Sequence, residues 1–173
     1  MRGLMVGAAV AALGLAGCSE EAPEPQASEA KAATLTPGLY EAAWTVTEIR
    51  STDKTDPKTS QTVGATGTVE ACIEEGPAID LALFAEGTDQ CSPSNSYTRK
   101  GRINIQMQCK RAEEAGPVMQ TATGTYTDEE FQGEISTSTY FTGFGDYSMM
   151  RTVKGRRIGA CPESAAEEAQ AES

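Results

Sequence analysis

The nine residues Arg102 to Lys110 alternate without a break: Ile103, Ile105, Met107 and Cys109 are apolar, and Arg102, Asn104, Gln106 and Gln108 between them are polar. Period two is the side-chain spacing of a strand with one face buried and the other in water. A helix would scatter those four apolar groups around its circumference. One half-wet strand needs antiparallel partners, and the flanking sequence supplies them. Leu39 to Ile49 places Tyr40, Ala42, Trp44 and Val46 on one face, and Thr62 to Ile73 follows the polar loop Ser51 to Ser60. Gly64 and Gly67 predict bulges or bends in that second stretch. Ser94 to Arg99 meets the Arg102 strand through Lys100-Gly101, a tight hairpin signal. Val118 to Tyr126, Phe131 to Phe141 and Tyr147 to Val153 continue the pattern, and a turn at Lys154-Gly155 is expected before a last short strand ending at Cys161. Ile79 to Ala85 reads as the one short helix. The fold class is therefore mostly β: an antiparallel sandwich or partly closed barrel of about seven short strands. Residues 37–162 form this single domain.

The chain opens differently. Arg2 is followed by an uninterrupted apolar run, Gly3 to Ala16, which is too short to cross a bilayer of ~30 Å as a helix and reads as the core of a signal peptide over residues 1–17. The run ends in Leu15-Ala16-Gly17-Cys18, which resembles the lipobox of bacterial lipoproteins. Small side chains before the cysteine let a peptidase reach the bond, and only a thiol forms the thioether to diacylglycerol. The resemblance implies that Cys18 becomes an acylated N-terminus, and several acyl chains at ~0.8 kcal/mol per buried methylene make a stable anchor. Ser19 rather than Asp follows the cysteine, which by the same resemblance favours the outer membrane. The expected location is the periplasm, with the membrane as the first partner.

Residues 18–36 carry the lipidated cysteine and then a tether of Ala, Glu, Pro and Ser. They hold too little apolar surface to offset ordering entropy, so a disordered linker is expected. Residues 163–173 repeat that composition as an acidic tail. Net charge is −11, and cleavage before Cys18 would remove Arg2 and take it to about −12. Such a chain is not suited to nucleic acid.

Setting Cys18 aside leaves Cys72, Cys91, Cys109 and Cys161, an even number in an exported domain and the usual condition for two disulfides. Cys91 and Cys109 stand nearly symmetrically about Lys100-Gly101, so a hairpin brings them together, which leaves Cys72 with Cys161. Four cysteines still permit three connectivities. No cysteine pair has zinc-knuckle spacing and the chain has no histidine, so no metal and no cofactor are expected.

Pro37-Gly38-Leu39-Tyr40-Glu41 at the start, Cys72 after a strand, a cysteine-flanked hairpin, and Arg157-Ile158-Gly159-Ala160-Cys161-Pro162 at the close form a pattern. It resembles a family of small exported bacterial proteins known as domain of unknown function family thirty-six seventeen. The resemblance covers nearly all of residues 37–162. It implies a periplasmic four-cysteine β domain and carries no assigned activity.

Without histidine the most used general base is missing, and neither a Gly-x-Ser-x-Gly elbow nor a Ser-x-x-Lys motif occurs. A non-enzyme is expected; catalysis would have to rest on carboxylates such as Glu41 or Asp146. Asp53 and Asp56, or Asp128, Glu129 and Glu130, lack the spacing of a calcium loop and read as solvated turns. Arg99-Lys100-Arg102 and Arg151-Lys154-Arg156-Arg157 read as charged hairpin tips that blunt sheet edges. The expected role is a lipid-anchored periplasmic module that binds or supports an envelope component. The alternative is a carrier or sensor of a small hydrophobic ligand, with Trp44, Phe131, Phe141 and Met149, joined by Phe144 and Met150, lining a barrel cavity. The same side chains are also what an ordinary core needs.

Overall fold

The computed structural model describes residues 34–76 and 78–162. The expected signal peptide, lipidated Cys18, linker before Thr34 and acidic tail lie outside them. Seven strands form one antiparallel sheet: β1 (Gly38–Ser51), β2 (Thr66–Ile73), β3 (Gln90–Arg99), β4 (Arg102–Lys110), β5 (Val118–Tyr126), β6 (Glu130–Thr139) and β7 (Tyr147–Gly159). Their order is β2-β1-β7-β6-β5-β4-β3, so β2 and β3 are the two edges. The sheet curls into a half-barrel with its apolar face inward. Of the two architectures expected, the partly closed barrel is the one adopted, because every strand joins the same sheet.

β4 has the predicted bounds and the predicted alternation, with Ile103, Ile105, Met107 and Cys109 buried. Lys100 and Gly101 both take positive φ (54° and 71°), the backbone of a two-residue hairpin whose twist matches that of its strands. Cys91 and Cys109 fall directly opposite each other across this hairpin and are disulfide-bonded. The second disulfide joins Cys72 to Cys161 with Cα atoms 5.6 Å apart. β1 lies between β2 and β7, so this bridge spans it and ties an edge strand to the far end of the last one.

Three local expectations are corrected. No turn occurs at Lys154-Gly155: β7 runs unbroken through both residues. Gly155 sits opposite Phe131, and a Cβ there would overlap the phenyl ring, so the glycine makes room for an aromatic rather than reversing the chain. Gly67 is likewise in regular register opposite Trp44, whose indole covers it, while Gly64 belongs to the turn before β2. The helix expected over Ile79 to Ala85 is a single 3-10 turn, Leu81–Leu83, capped by the Asp80 carboxylate accepting from the Ala82 N–H at 2.9 Å.

That turn belongs to residues 74–76 and 78–89, which lead from one sheet edge to the other. They lie against the inner face as a strap, with Ile79, Leu83 and Phe84 buried in the common core. Covering the open side of a half-barrel removes its apolar lining from water, at ~25 cal/mol per Å². At the start of the domain, Leu35 packs on the same core and the Thr36 N–H donates to the Asp128 carbonyl at 2.7 Å.

Candidate functional site

The half-barrel's inner face is apolar at the strap's start and polar at its end. Gln120 on β5, Thr137 and Thr139 on β6, and Tyr147 and Arg151 on β7 all point inward and are buried. Alternation puts each of them there, since Arg151 lies between Met149 and Val153 on one face of β7. Arg151 is therefore not one of the charged hairpin tips expected from its basic neighbours in sequence. Its guanidinium donates to the Phe84 carbonyl (2.7 Å) and the Ala85 carbonyl (3.1 Å), gripping the strap just past its 3-10 turn. Burial depresses its pKa, partly offset by the charge of Glu86. The Arg151 Nε, Gln120 Nε2 and Thr137 Oγ1 atoms have no hydrogen-bond partner among the described residues.

The strap's end carries two acids, Glu86 and Asp89, and both meet Arg111 at the end of β4. Arg111 binds Asp89 as a fork, Nε to Oδ1 at 2.9 Å and Nη2 to Oδ2 at 2.8 Å, and its Nη2 lies 3.0 Å from Glu86 Oε2. Tyr147 completes the cluster: its hydroxyl donates to Glu86 at 2.9 Å and accepts from Arg111 Nη1 at 2.8 Å. Thr59 donates to Glu86 from the long loop at 3.2 Å. Burial opposes the charge on Arg111, but its hydrogen bonds to Asp89 and Tyr147 and the charge of Glu86 outweigh it and push its pKa above the ordinary value. Tyr147 is pushed up to about 12, first by burial and then by the Glu86 charge.

A pKa raised on folding means that the native state holds the Tyr147 proton more tightly than the unfolded chain does. This group's contribution to stability should be whole below pH ~10 and decline as pH rises toward ~12. Denaturation curves across that range, compared with Tyr147→Phe, check it: the variant should lack this part of the alkaline loss. An identical decline in both proteins would contradict the assignment.

Two openings flank the strap. One, of about 440 Å³, is bounded by Lys58, Thr59, Glu86, Asp89, Arg111 and Glu114, and Lys58 closes its rim with a 3.0 Å ion pair to Glu114. The other, of about 610 Å³, is apolar, with Leu35, Pro37, Ile73, Ile79 and Tyr126 in its walls and Arg99 and Lys100 beside it.

The apolar residues singled out from the sequence are distributed through the packing. Met149 is wholly buried on β7, Phe131 packs against Tyr40 and Phe84, and Phe141 lies edge-on to Tyr147. Trp44 rests on Gly67 with the Arg151 guanidinium 5.8 Å from its ring. Phe144 is exposed, under the Lys58 ammonium. Glu41 pairs with Arg156 at the surface (3.0 Å), and Asp146 accepts from the Phe141 N–H at 2.7 Å to close the β6–β7 turn. Asp53 is engaged in the same way: Thr55 and the N–H groups of Gly145 and Asp146 donate to it, and the Thr55 hydroxyl and N–H hold it far below the usual carboxylate range. Among the described residues no three His, Cys, Asp or Glu side chains converge on a metal-sized site.

The Glu86–Asp89–Arg111–Tyr147 cluster is absent from the residues that sequence patterns single out, although two signals point to it. Asp89 and Arg111 stand two residues outside Cys91 and Cys109, so the disulfide-closed hairpin brings them together. Tyr147 and Arg151 interrupt, on the inward face, a strand that otherwise reads as apolar there.

A family model described as "Protein of unknown function (DUF3617)" matches residues 35–161. No curated protein matches the chain, and no solved structure does.

Proposed function

The chain belongs to this family of proteins of unknown function, and on that footing we propose that it is a lipoprotein held to the periplasmic side of the membrane by acylated Cys18, whose β domain acts by binding rather than catalysis. The carrying observation is that Cys72 pairs with Cys161 and Cys91 with Cys109, leaving Cys18 as the odd cysteine among five. Paired cysteines fit an oxidising compartment, and the odd one closes the Leu15-Ala16-Gly17-Cys18 sequence. Binding is favoured because the buried ionisable groups Glu86, Asp89, Arg111 and Tyr147 are committed to one another and to holding the strap. The outer membrane is favoured by Ser19.

Cys18→Ser tests the anchor. The variant should lose metabolically incorporated acyl label and leave the detergent-rich phase, with its melting temperature unchanged. Acyl label persisting on the variant would overturn the proposal.

The apolar opening of about 610 Å³ beside the strap favours a second reading, a carrier or sensor of a small hydrophobic ligand, at a different place from the aromatic residues that the sequence points to. A lipid mass retained by the full chain in native mass spectrometry would support it; a ligand-free mass would count against it.

A further inference from the structure

The outward face of the sheet carries an unusual set of side chains. Between β3 and β7 it forms an open depression of about 910 Å³, into which Asn95, Tyr97, Asn104, Gln106, Thr123 and Gln132 project. The register aligns Tyr97, Asn104, Thr123, Glu134 and Thr152 as one row across five strands. With neighbouring strands ~4.8 Å apart, that row is about 19 Å long.

Composition separates this surface from an ordinary solvated sheet face. The chain contains two asparagines, Asn95 and Asn104, and both stand within strands on this depression. Asparagine is depleted in strands, where Thr, Lys or Glu would serve solubility at less cost. Asn95 owes its direction to a break in the pattern. The register shifts between Pro93 and Asn95, so that Pro93 stands opposite inward Met107 while Asn95 stands opposite outward Gln106. Without that bulge the two residues would share a face; bulges commonly re-aim a side chain in this way. Tyr97 is 36% exposed, and the Arg99 guanidinium lies over its ring at 4.7 Å, which steadies it.

Amides and hydroxyls each donate and accept, which suits a ligand whose own groups do both. Arg102 and Lys154 against Glu134 leave the depression's lining a single net positive charge, with Arg99 turned onto the Tyr97 ring, which is too little to hold a polyanion. That lining mixes apolar and polar surface along an open trough and encloses no pocket that would take up an acyl chain. An uncharged chain of pyranose rings fits all three conditions: many hydroxyls, no net charge, and C–H faces that pack on an aromatic ring. We propose that this face, centred on Asn95, Tyr97 and Asn104, is a binding site for a neutral oligosaccharide.

The proposal deepens the binding role given above and rests on it. Its test uses the full chain in detergent micelles, titrated calorimetrically with the hexamers of N-acetylglucosamine, β-1,4-glucose and α-1,4-glucose. At least one should bind, and Asn104→Ala and Tyr97→Ala should each weaken it about tenfold, as expected for loss of a hydrogen bond or a ring contact. Gln61→Ala, in the long loop, should bind as the native chain does, and all three variants should melt unchanged. No heat with any hexamer at millimolar concentration would overturn the site, as would binding that survives Asn95→Ala/Asn104→Ala intact. Either failure is distinguishable from failure of the anchor, because the Cys18 assay reads acyl label and not saccharide.

Discussion

Arg111→Met is expected to lower the unfolding free energy by ~3–5 kcal/mol, the usual cost of removing one partner from a buried ion cluster. The side chains of Asp89 and Glu86 are only 3% and 7% exposed, and Arg111 is the cation that bridges them. Without it two carboxylates face each other in a poorly solvated site, and the Tyr147 hydroxyl loses a donor. Methionine keeps most of the volume, so the loss reports charge and hydrogen bonding rather than a cavity. The strap's end should loosen first, giving faster amide exchange over residues 85–89 than at its apolar middle, where Leu83 and Phe84 remain packed. Chemical denaturation measures the first effect and hydrogen exchange the second. A loss under about 1 kcal/mol, the range of exposed pairs, would mean that water screens the cluster and that apolar packing alone holds the strap.

The two disulfides should not be equivalent. Cys72–Cys161 closes a sequence separation of 89 residues and Cys91–Cys109 one of 18. Loop-closure entropy then assigns ~4.6 kcal/mol to the first and ~3.2 kcal/mol to the second. Structure widens the gap. The shorter bridge lies in a hairpin already closed by the Lys100-Gly101 turn, whereas the longer one crosses β1 and holds the end of β7 to an edge strand. Cys72→Ala/Cys161→Ala should therefore cost more than Cys91→Ala/Cys109→Ala in denaturant titrations without reductant. The reverse order would show that the hairpin bridge supplies native packing that closure entropy omits, Cys109 being wholly buried.

How far the sequence can be read depends on the range of the interactions involved. β4 and β5 are legible to the residue because strict alternation is a property of adjacent positions, and the Lys100-Gly101 hairpin carries its own turn chemistry. The disulfide pairs follow from that hairpin's symmetry. Gly155 misleads because a glycine in a strand reads as punctuation, whereas its reason is a phenyl ring 24 residues earlier, Phe131, on the neighbouring strand. Leu81 to Leu83 is too short to show a helical period, so its apolar run is compatible with helix or packed loop. The ion cluster is the least visible feature. Its members come from the strap, the end of β4 and the start of β7: the hairpin brings Asp89 to Arg111, but only the curl of the sheet adds Tyr147 and Glu86. Asn95 and Asn104 are in plain sight, yet their common direction depends on a bulge that no local pattern announces.

On the proposed reading the five cysteines divide, one acylated and four paired. Intact-mass analysis of the protein extracted from its native membrane, alkylated before and after reduction, reads that division in a single experiment. The expected mass is that of the chain from Cys18 onward plus acyl groups, with no alkyl label before reduction and, one on each of Cys72, Cys91, Cys109 and Cys161, four labels after it. A chain that retains residues 1–17 without lipid, or one whose domain thiols alkylate before any reductant is added, would contradict it.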